Sequence, residues 1–203
     1  FTSCMLTENS AEQGGGLAVT GSPGTELVNV TLAGNGASDA GGHLFVDEGS
    51  IRLINVIGAF GLDGGGFHAE AGALAGSDRF YNLVWSNAGG EWTGAWSDVT
   101  GTSGNLNADP LFRAYDVDGD ETDDDLRLMA GSPAIDEGDP SVFDVDGSAS
   151  DIGAWGGPEA WPWDRDADGF YAHADCDDTD ATAYPGAEEV PYDGIDQDCD
   201  GQD

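Results

Sequence analysis

The sequence predicts an all-β fold: a solenoid of short stacked strands followed by a small acidic loop module. Three observations carry that expectation. A glycine-paired segment recurs four times in the first hundred residues, no window has the length and apolar spacing of a helix, and the last forty residues are dominated by aspartate.

Composition sets the frame. The 203 residues are 39% hydrophobic and include eight Phe, six Trp and five Tyr, enough to build a core for one or two domains and to exclude wholesale disorder. Forty acidic residues face five Arg and no Lys, a formal charge of −35. That sign repels phosphate, so no nucleic acid and no anionic membrane surface is expected as a partner. It also opposes compaction unless cations screen it, which points to a calcium-rich or salty extracellular setting. No apolar run reaches the roughly 18 residues of a membrane-spanning helix and no signal peptide is visible, so no membrane insertion is expected within this segment. The abrupt start "FTSC" reads as the interior of a longer chain, with upstream coils as neighbours of the first one.

The repeats are "FTSCMLTENSAEQGGGLAV", "LVNVTLAGNGASDAGGHLFV", "LINVIGAFGLDGGGFHA" and "FYNLVWSNAGGEWTG". Their glycine pairs begin at positions 14, 41, 64 and 89. That is a period of roughly 25 residues, within the range of solenoid repeats. Each repeat holds a short β-branched stretch, then Gly and Asn, then a second short apolar stretch, the pattern of strands joined by tight turns. Asn29, Asn55 and Asn82 fall at equivalent places, with Ser3 in the first repeat, and predict one inward column of stacked side-chain amides. Cys4 takes the position of Val30, Val56 and Leu83 and is expected as an inward, reduced core thiol. "NVT" at Asn29 has the form of a glycosylation sequon, but an inward Asn leaves no room for a glycan.

These repeats resemble the right-handed parallel β-helices of secreted bacterial proteins, over roughly residues 1–157. "GNLNADPLF", "LRLMAGSPAIDEGD" and "DVDGSASDIGAWGGP" look like the phrases with which such helices close. The resemblance implies a last inward strand at "GSPAID" and Trp155 placed over the end of the core as a cap. A Pro/Trp linker at 158–163 then leads to the module, 164–203.

In "DRDADGFYAHADCDD", counting Asp164 as position 1, carboxylates fall at positions 1, 3, 5 and 12 (Asp164, Asp166, Asp168, Asp175), Gly169 at 6 and the Phe170 carbonyl at 7. That is the EF-hand calcium-loop pattern with Asp in place of the usual Glu at 12 and without flanking helices. "DQDCDG" supplies Asp196, Asp198 and Asp200 for a second ion, completed from Asp177, Asp178, Asp180, Glu188 or Glu189 by chain reversal through "YPGAEE". From Asp164 onward the text resembles the MopE-type metal-binding motif of bacterial surface proteins and, more loosely, the calcium-wrapped type 3 repeats of thrombospondins. Family variants often carry a further Cys shortly before "DG"; Tyr192 stands there, and the resemblance therefore implies a single internal disulfide, Cys176 to Cys199. The family name alludes to copper, which prefers imidazole, thiolate or thioether; His173 is the module's one imidazole and it has no Met, so two or more calcium ions are favoured over copper, with a merely solvated tail as the third reading. "DVDGDETDDDLRL", holding the acidic run Asp116–Asp125, is either an ion loop or a solvated insertion, and Asp144 and Asp146 are read as turn residues.

Two function classes remain. The leading one is a non-catalytic secreted or cell-surface protein of a bacterium, acting in adhesion or surface architecture, with an extracellular glycan or surface protein as partner. The alternative is a carbohydrate-active enzyme, a polysaccharide lyase or glycoside hydrolase, with the module as an accessory. Arg52 and Arg79 are the basic residues of the repeats and have no evident catalytic companion, while His43 and His68 are read as exposed turn residues rather than ligands or bases, so no catalytic residue is assigned.

Overall fold

Two nine-residue stretches, "TELVNVTLA" and "IRLINVIGA", set the pattern. Both are rich in β-branched residues and hold equivalent places in successive repeats, so stacking one on the other aligns like with like, from Thr25 on Ile51 to Ala33 on Ala59. The computed structural model describes residues 1–73, 77–117, 124–158, 160, 166, 168–170, 175–177 and 180–199. The chain divides into two units, Phe1–Ala160 and Trp161–Asp203.

In the first unit, coil one contains β1 (Thr2–Thr7), β2 (Ser10–Gln13) and β3 (Leu17–Thr20), and coil two β4 (Thr25–Ala33), β5 (Gly36–Ala40) and β6 (Leu44–Asp47). Coil three has β7 (Ile51–Ala59) and β8 (Phe67–Ala69); β9 (Asp78–Phe80), β10 (Leu83–Trp85) and β11 (Trp92–Gly94) make coil four, and β12 (Leu106–Asn107) begins a further turn. One parallel sheet runs β1-β4-β7-β10-β12, with β9 also on β7; a second runs β3-β6-β8-β11, and β2 pairs with β5. A hairpin of β13 (Phe112–Ala114) and β14 (Asp125–Leu128) is the antiparallel pair among these strands. The result is an all-β parallel solenoid of about four turns, with no helix among the described residues.

Two columns of left-handed backbone set the corners. Ser3, Asn29, Asn55 and Tyr81 all have φ between 45° and 54°, and Glu8, Gly34, Phe60 and Ser86 between 52° and 62°. Each column advances by one constant step in the numbering, a stricter period than the glycine pairs show. A left-handed residue breaks strand alternation, so Leu27 and Val30 both face the interior although three positions separate them. Asn82 is therefore displaced by one place from the expected column. Tyr81 holds the corner, and Leu83 pairs with Ile57 rather than standing level with Val56. Cys4 does pair with Val30 and packs, half-buried, against the interior, where burial pushes its thiol pKa up.

The amides form more than the single inward column expected. Asn29 and Asn55 are buried beneath the C-terminal segment: Asn29 Nδ2 donates to Ser150 Oγ at 3.1 Å, and Asn55 Oδ1 accepts from Asp139 N at 2.7 Å. No glycan fits at Asn29, which is 1% exposed. Asn82 instead bonds to the strand before it and the turn after it, accepting from Val56 N and donating to Asn105 Oδ1. A second series, Asn9, Asn35, Gly61 and Asn87, keeps the same constant step as the corners. The glycine leaves that ladder without a side chain at one rung, and His43 fills the space. Its Nδ1 lies 3.3 Å from Asn35 Nδ2 and its Nε2 2.7 Å from Asn87 Oδ1, an arrangement the neutral ring satisfies with its proton on Nε2. A Cβ at Gly61 would stand 3.2 Å from that Nε2. His43 is thus fully buried, not an exposed turn residue.

The closing phrases do something other than cap the core. The outer face of the β4-β7-β10 sheet is itself apolar, with Ala33, Ile57, Ala59 and Leu83 buried. Phe112, Leu126, Leu128, Ala134 and Ile152 cover it, forming a second core. Burying a side chain such as Ile57 is worth about 1.5 to 3 kcal/mol, which an end cap would forgo. "GSPAID" is accordingly a turn, in which Ser132 Oγ donates to Pro110 O and accepts from Ala134 N, and Trp155 sits half-buried on the flank. At the β11 edge the interior is closed by Trp92 and Trp96, with the Arg79 guanidinium 5.2 and 5.0 Å from their ring centres.

Asp144 and Asp151 fasten the lateral cover. Asp144 accepts from the amides of Gly157 and Asp151, and Asp151 from that of Asp136. Burial, reinforced by Asp144, Asp136 and Asp146, pushes Asp151 up to about 7, while burial pushes His43 down to about 4.

His43→Ala removes the bridge between Asn35 and Asn87 and is expected to cost about 2 to 4 kcal/mol at pH 7. The folded pKa of His43 is depressed, so its contribution is complete above the unfolded value of 6.5 and is lost as pH falls through about 4. Denaturant titrations should therefore show a smaller cost for His43→Ala at pH 4 than at pH 7. Asp151 runs the other way: its folded pKa is raised above 3.8, so its contribution is present below that value and lost as pH rises through about 7. The stability of Asp151→Asn relative to the wild type should rise between pH 4 and pH 8.

Candidate metal centre

The C-terminal unit is built from aspartate turns. A short carboxylate reaches the amide two residues on and shapes the chain locally. Asp166 Oδ1 accepts from Asp168 N, Asp168 Oδ1 from Phe170 N and Asp175 Oδ1 from Asp177 N, at 3.2, 2.7 and 2.9 Å. Each Asp thereby uses one oxygen on the backbone. Asp166, Asp168 and Asp175 each also place a carboxylate oxygen so that the three atoms lie within 4.8 Å of one another, and Asp175 is 0% exposed.

A second group forms across the unit's chain reversal. Carboxylate oxygens of Glu189, Asp196 and Asp198 lie within 4.8 Å of one another. Glu189 Oε2 accepts from the amides of Gln197 and Asp198 at 3.0 and 3.2 Å, while its buried Oε1 accepts no hydrogen bond among the described residues. Gln197 holds the reversal, donating from its side chain to Asp193 Oδ2 and accepting from Val190 N, while its carbonyl accepts from Tyr184 N. The Tyr184 ring stacks on Phe170, centroids 5.1 Å apart, joining the chain near both groups.

The Cys176–Cys199 disulfide, with its Cα atoms 5.5 Å apart, links the groups. Cys176 follows Asp175 of the first and Cys199 follows Asp198 of the second, and the bridged sulfurs leave no thiolate to ligate a soft ion.

Three like charges gathered and partly buried are unfavourable without a cation. Two oxygens on one calcium ion, each at 2.3 to 2.6 Å, stand at most about 5 Å apart, so both groups fit an ion of that size. Their described donors are all oxygen, the set that hard divalent cations take.

Of the residues singled out from sequence, Asp166, Asp168 and Asp175 come together in one group and Glu189, Asp196 and Asp198 in the other. Within "EE", Glu189 joins the second group and Glu188 is exposed. Asp177 is exposed and Asp180 accepts from both the amide and hydroxyl of Thr182; neither joins a group among the described residues. Asp164, Asp178, Asp200 and His173 lie outside the described residues. In the first unit, Asp125 forms a two-pronged pair with Arg127, at 2.9 and 2.7 Å, and Asp146 caps the amide and hydroxyl of Ser148. Gln197 was not singled out, and its role has no motif: only its burial between the acidic turns shows it.

No curated protein and no solved structure matches the chain, whereas residues 175–203 match the family model of the MopE type, described as a "Putative metal-binding motif".

Proposed function

We propose that this chain is a non-catalytic scaffold of the bacterial exterior, secreted or held at the cell surface, in which a β-solenoid carries a C-terminal module folded around two or more calcium ions. Its work is adhesion or surface architecture, with a glycan or surface protein as the partner. The observation that carries the reading is the pair of all-oxygen carboxylate groups, tied together by one disulfide. Oxygen donors favour calcium over copper. The disulfide agrees with an oxidising compartment. A charge of −35 is tolerated where millimolar divalent cations are present. The basic residues of the coils are engaged structurally, Arg52 with Glu26 at 3.0 Å and Arg79 with the two tryptophans, which supports the non-catalytic reading.

Limited proteolysis of the full chain tests this. In millimolar calcium both units should resist cleavage; after chelation, cuts should appear between Trp161 and Asp203 while Phe1–Ala160 survives, and calcium should restore protection. Equal cleavage with and without calcium would sink the metal-folded reading. Asp166→Asn and Asp196→Asn should each raise the calcium needed for protection by roughly tenfold or more.

The bridge should matter most when the ions are absent. Closing a loop with a sequence separation of 23 is worth about 3 kcal/mol in the chain-entropy model. A Cys176→Ser, Cys199→Ser double variant should therefore need more calcium for protection yet leave the solenoid's thermal transition unchanged, as calorimetry of the two transitions would show.

A further inference from the structure

A groove of about 440 Å³ runs along the flank of coils two to four. Its chemistry-bearing residues are Asp39, His68, Glu70 and Thr93; the others lining it are glycine or alanine. His68 is held on three sides. Its ring stacks on Phe45 with centroids 5.5 Å apart and planes 8° from parallel, and its Nδ1 lies 3.0 Å from Thr93 Oγ1. Gly94 makes room for the opposite edge, since a Cβ there would stand 2.6 Å from His68 Cε1 and 2.8 Å from Nε2.

The Thr93 hydroxyl stands between two acceptors, His68 Nδ1 at 3.0 Å and the Phe67 carbonyl at 3.3 Å. With its proton on Nδ1, the ring leaves Nε2 donating toward Glu70 Oε1 at 3.5 Å. With the proton on the Phe67 carbonyl, Thr93 accepts from Nδ1–H and the neutral ring presents a lone pair at Nε2 toward that same carboxylate oxygen. The second tautomer is the one a cation selects, since it turns Nε2 and Oε1 into two donors aimed at one point.

We propose that His68 Nε2 and Glu70 Oε1 are ligands of a borderline divalent transition-metal ion of the zinc or copper class, in a site separate from the C-terminal calcium module. Two donors at 2.0 to 2.2 Å from a tetrahedral ion stand about 3.4 Å apart, close to the observed separation. A mixed nitrogen and oxygen pair selects this class over calcium, which takes oxygen. Thr93 supplies the outer contact that orients a metal-bound imidazole, and Phe45 fixes the ring plane. With two protein ligands the ion keeps open positions toward the groove, whose volume admits water or an oxygen-bearing ligand. Asp39 lines the same groove and adds negative potential.

The test uses the full chain at pH 7.5 with calcium in excess, and zinc chloride as the probe. Isothermal titration should show one zinc site that calcium does not compete away. Imidazole nitrogen-15 spectra should show His68 Nε2 moving to a metal-bound position with Nδ1 protonated. His68→Gln should weaken this zinc affinity at least tenfold, Glu70→Gln and Thr93→Val by roughly tenfold, and His173→Ala should leave it unchanged. Unchanged zinc affinity in His68→Gln overturns the proposal. So does a wild-type spectrum in which zinc leaves His68 unmoved, the outcome expected of a plain imidazolium and carboxylate pair. The wild-type spectrum decides the matter even if a variant fails to fold. Because calcium is present throughout, this result is independent of whether the C-terminal module needs that ion.

Discussion

The first unit depends on one constraint: every coil must return to its starting point after the same length of chain along the two left-handed columns, because backbone amides of one coil bond to carbonyls of the next. A coil that slipped by one residue would turn its apolar side chains from one face to the other. The corners pin the register at two places per turn. What occupies a corner matters less than its backbone shape: Ser3, Asn29, Asn55 and Tyr81 share the conformation without sharing chemistry. Non-glycine residues held there cost some strain, and asparagine less than most, which is why Asn29 and Asn55 are well placed. Variation in length is pushed into the glycine turns, where the chain passes close to its neighbour and no side chain is wanted.

Stacking alone leaves polar groups inside, and the interior answers with side chains that belong to the same period. The Asn9, Asn35 and Asn87 series binds backbone left over at the corners, and His43, from the opposite wall, supplies the step that Gly61 lacks. The arrangement holds with a neutral imidazole. A charged ring would leave a donor where Asn35 Nδ2 needs an acceptor, and burial opposes the charge as well. On the outside of the same sheet, apolar residues call for a second layer, and the closing segment meets that need by lying along the flank.

Much of this is legible in the sequence. The solenoid, the strand pattern, the acidic loops and the cysteine pair all stand in short, repeated text. Legibility fails where geometry compensates for a local departure. Asn82 follows Asn55 one place later than Asn55 follows Asn29, and so small a difference is invisible when the glycine pairs themselves recur unevenly. The true period is present in Asn9, Asn35 and Asn87, but the glycine at 61 interrupts it and His43 restores it from a sequence-distant site. Trp155 is misplaced for a different reason. A tryptophan near glycine and proline fits an end cap or a flank equally well, and the decision rests on whether the outer sheet face is apolar, which Ile57, Ala59 and Leu83 settle together rather than singly. In the C-terminal unit, residue spacing identifies aspartates but not which of them spend themselves on turns. Asp180 and Asp166 have similar local text, yet Asp180 binds Thr182 while Asp166 also joins a carboxylate group.

The charge distribution then separates the two units by mechanism. In the coils, polar groups inside are amides and a neutral imidazole, and carboxylates lie mostly outward or, at Asp144 and Asp151, take backbone amides as donors. Acid and base limits on the solenoid thus come from few groups, and ordinary packing dominates its stability. In the C-terminal unit the carboxylates themselves converge, and the described apolar burial there is small, with Ala183 fully covered and Val190, Tyr192 and Ile195 exposed. Among the described residues of that unit, the disulfide and the carboxylate groups with any cation they gather are the evident sources of order. The disulfide restricts the unfolded chain but does nothing to relieve repulsion in the folded one. Cation binding relieves it directly, so the two act on opposite ends of the folding equilibrium and neither replaces the other.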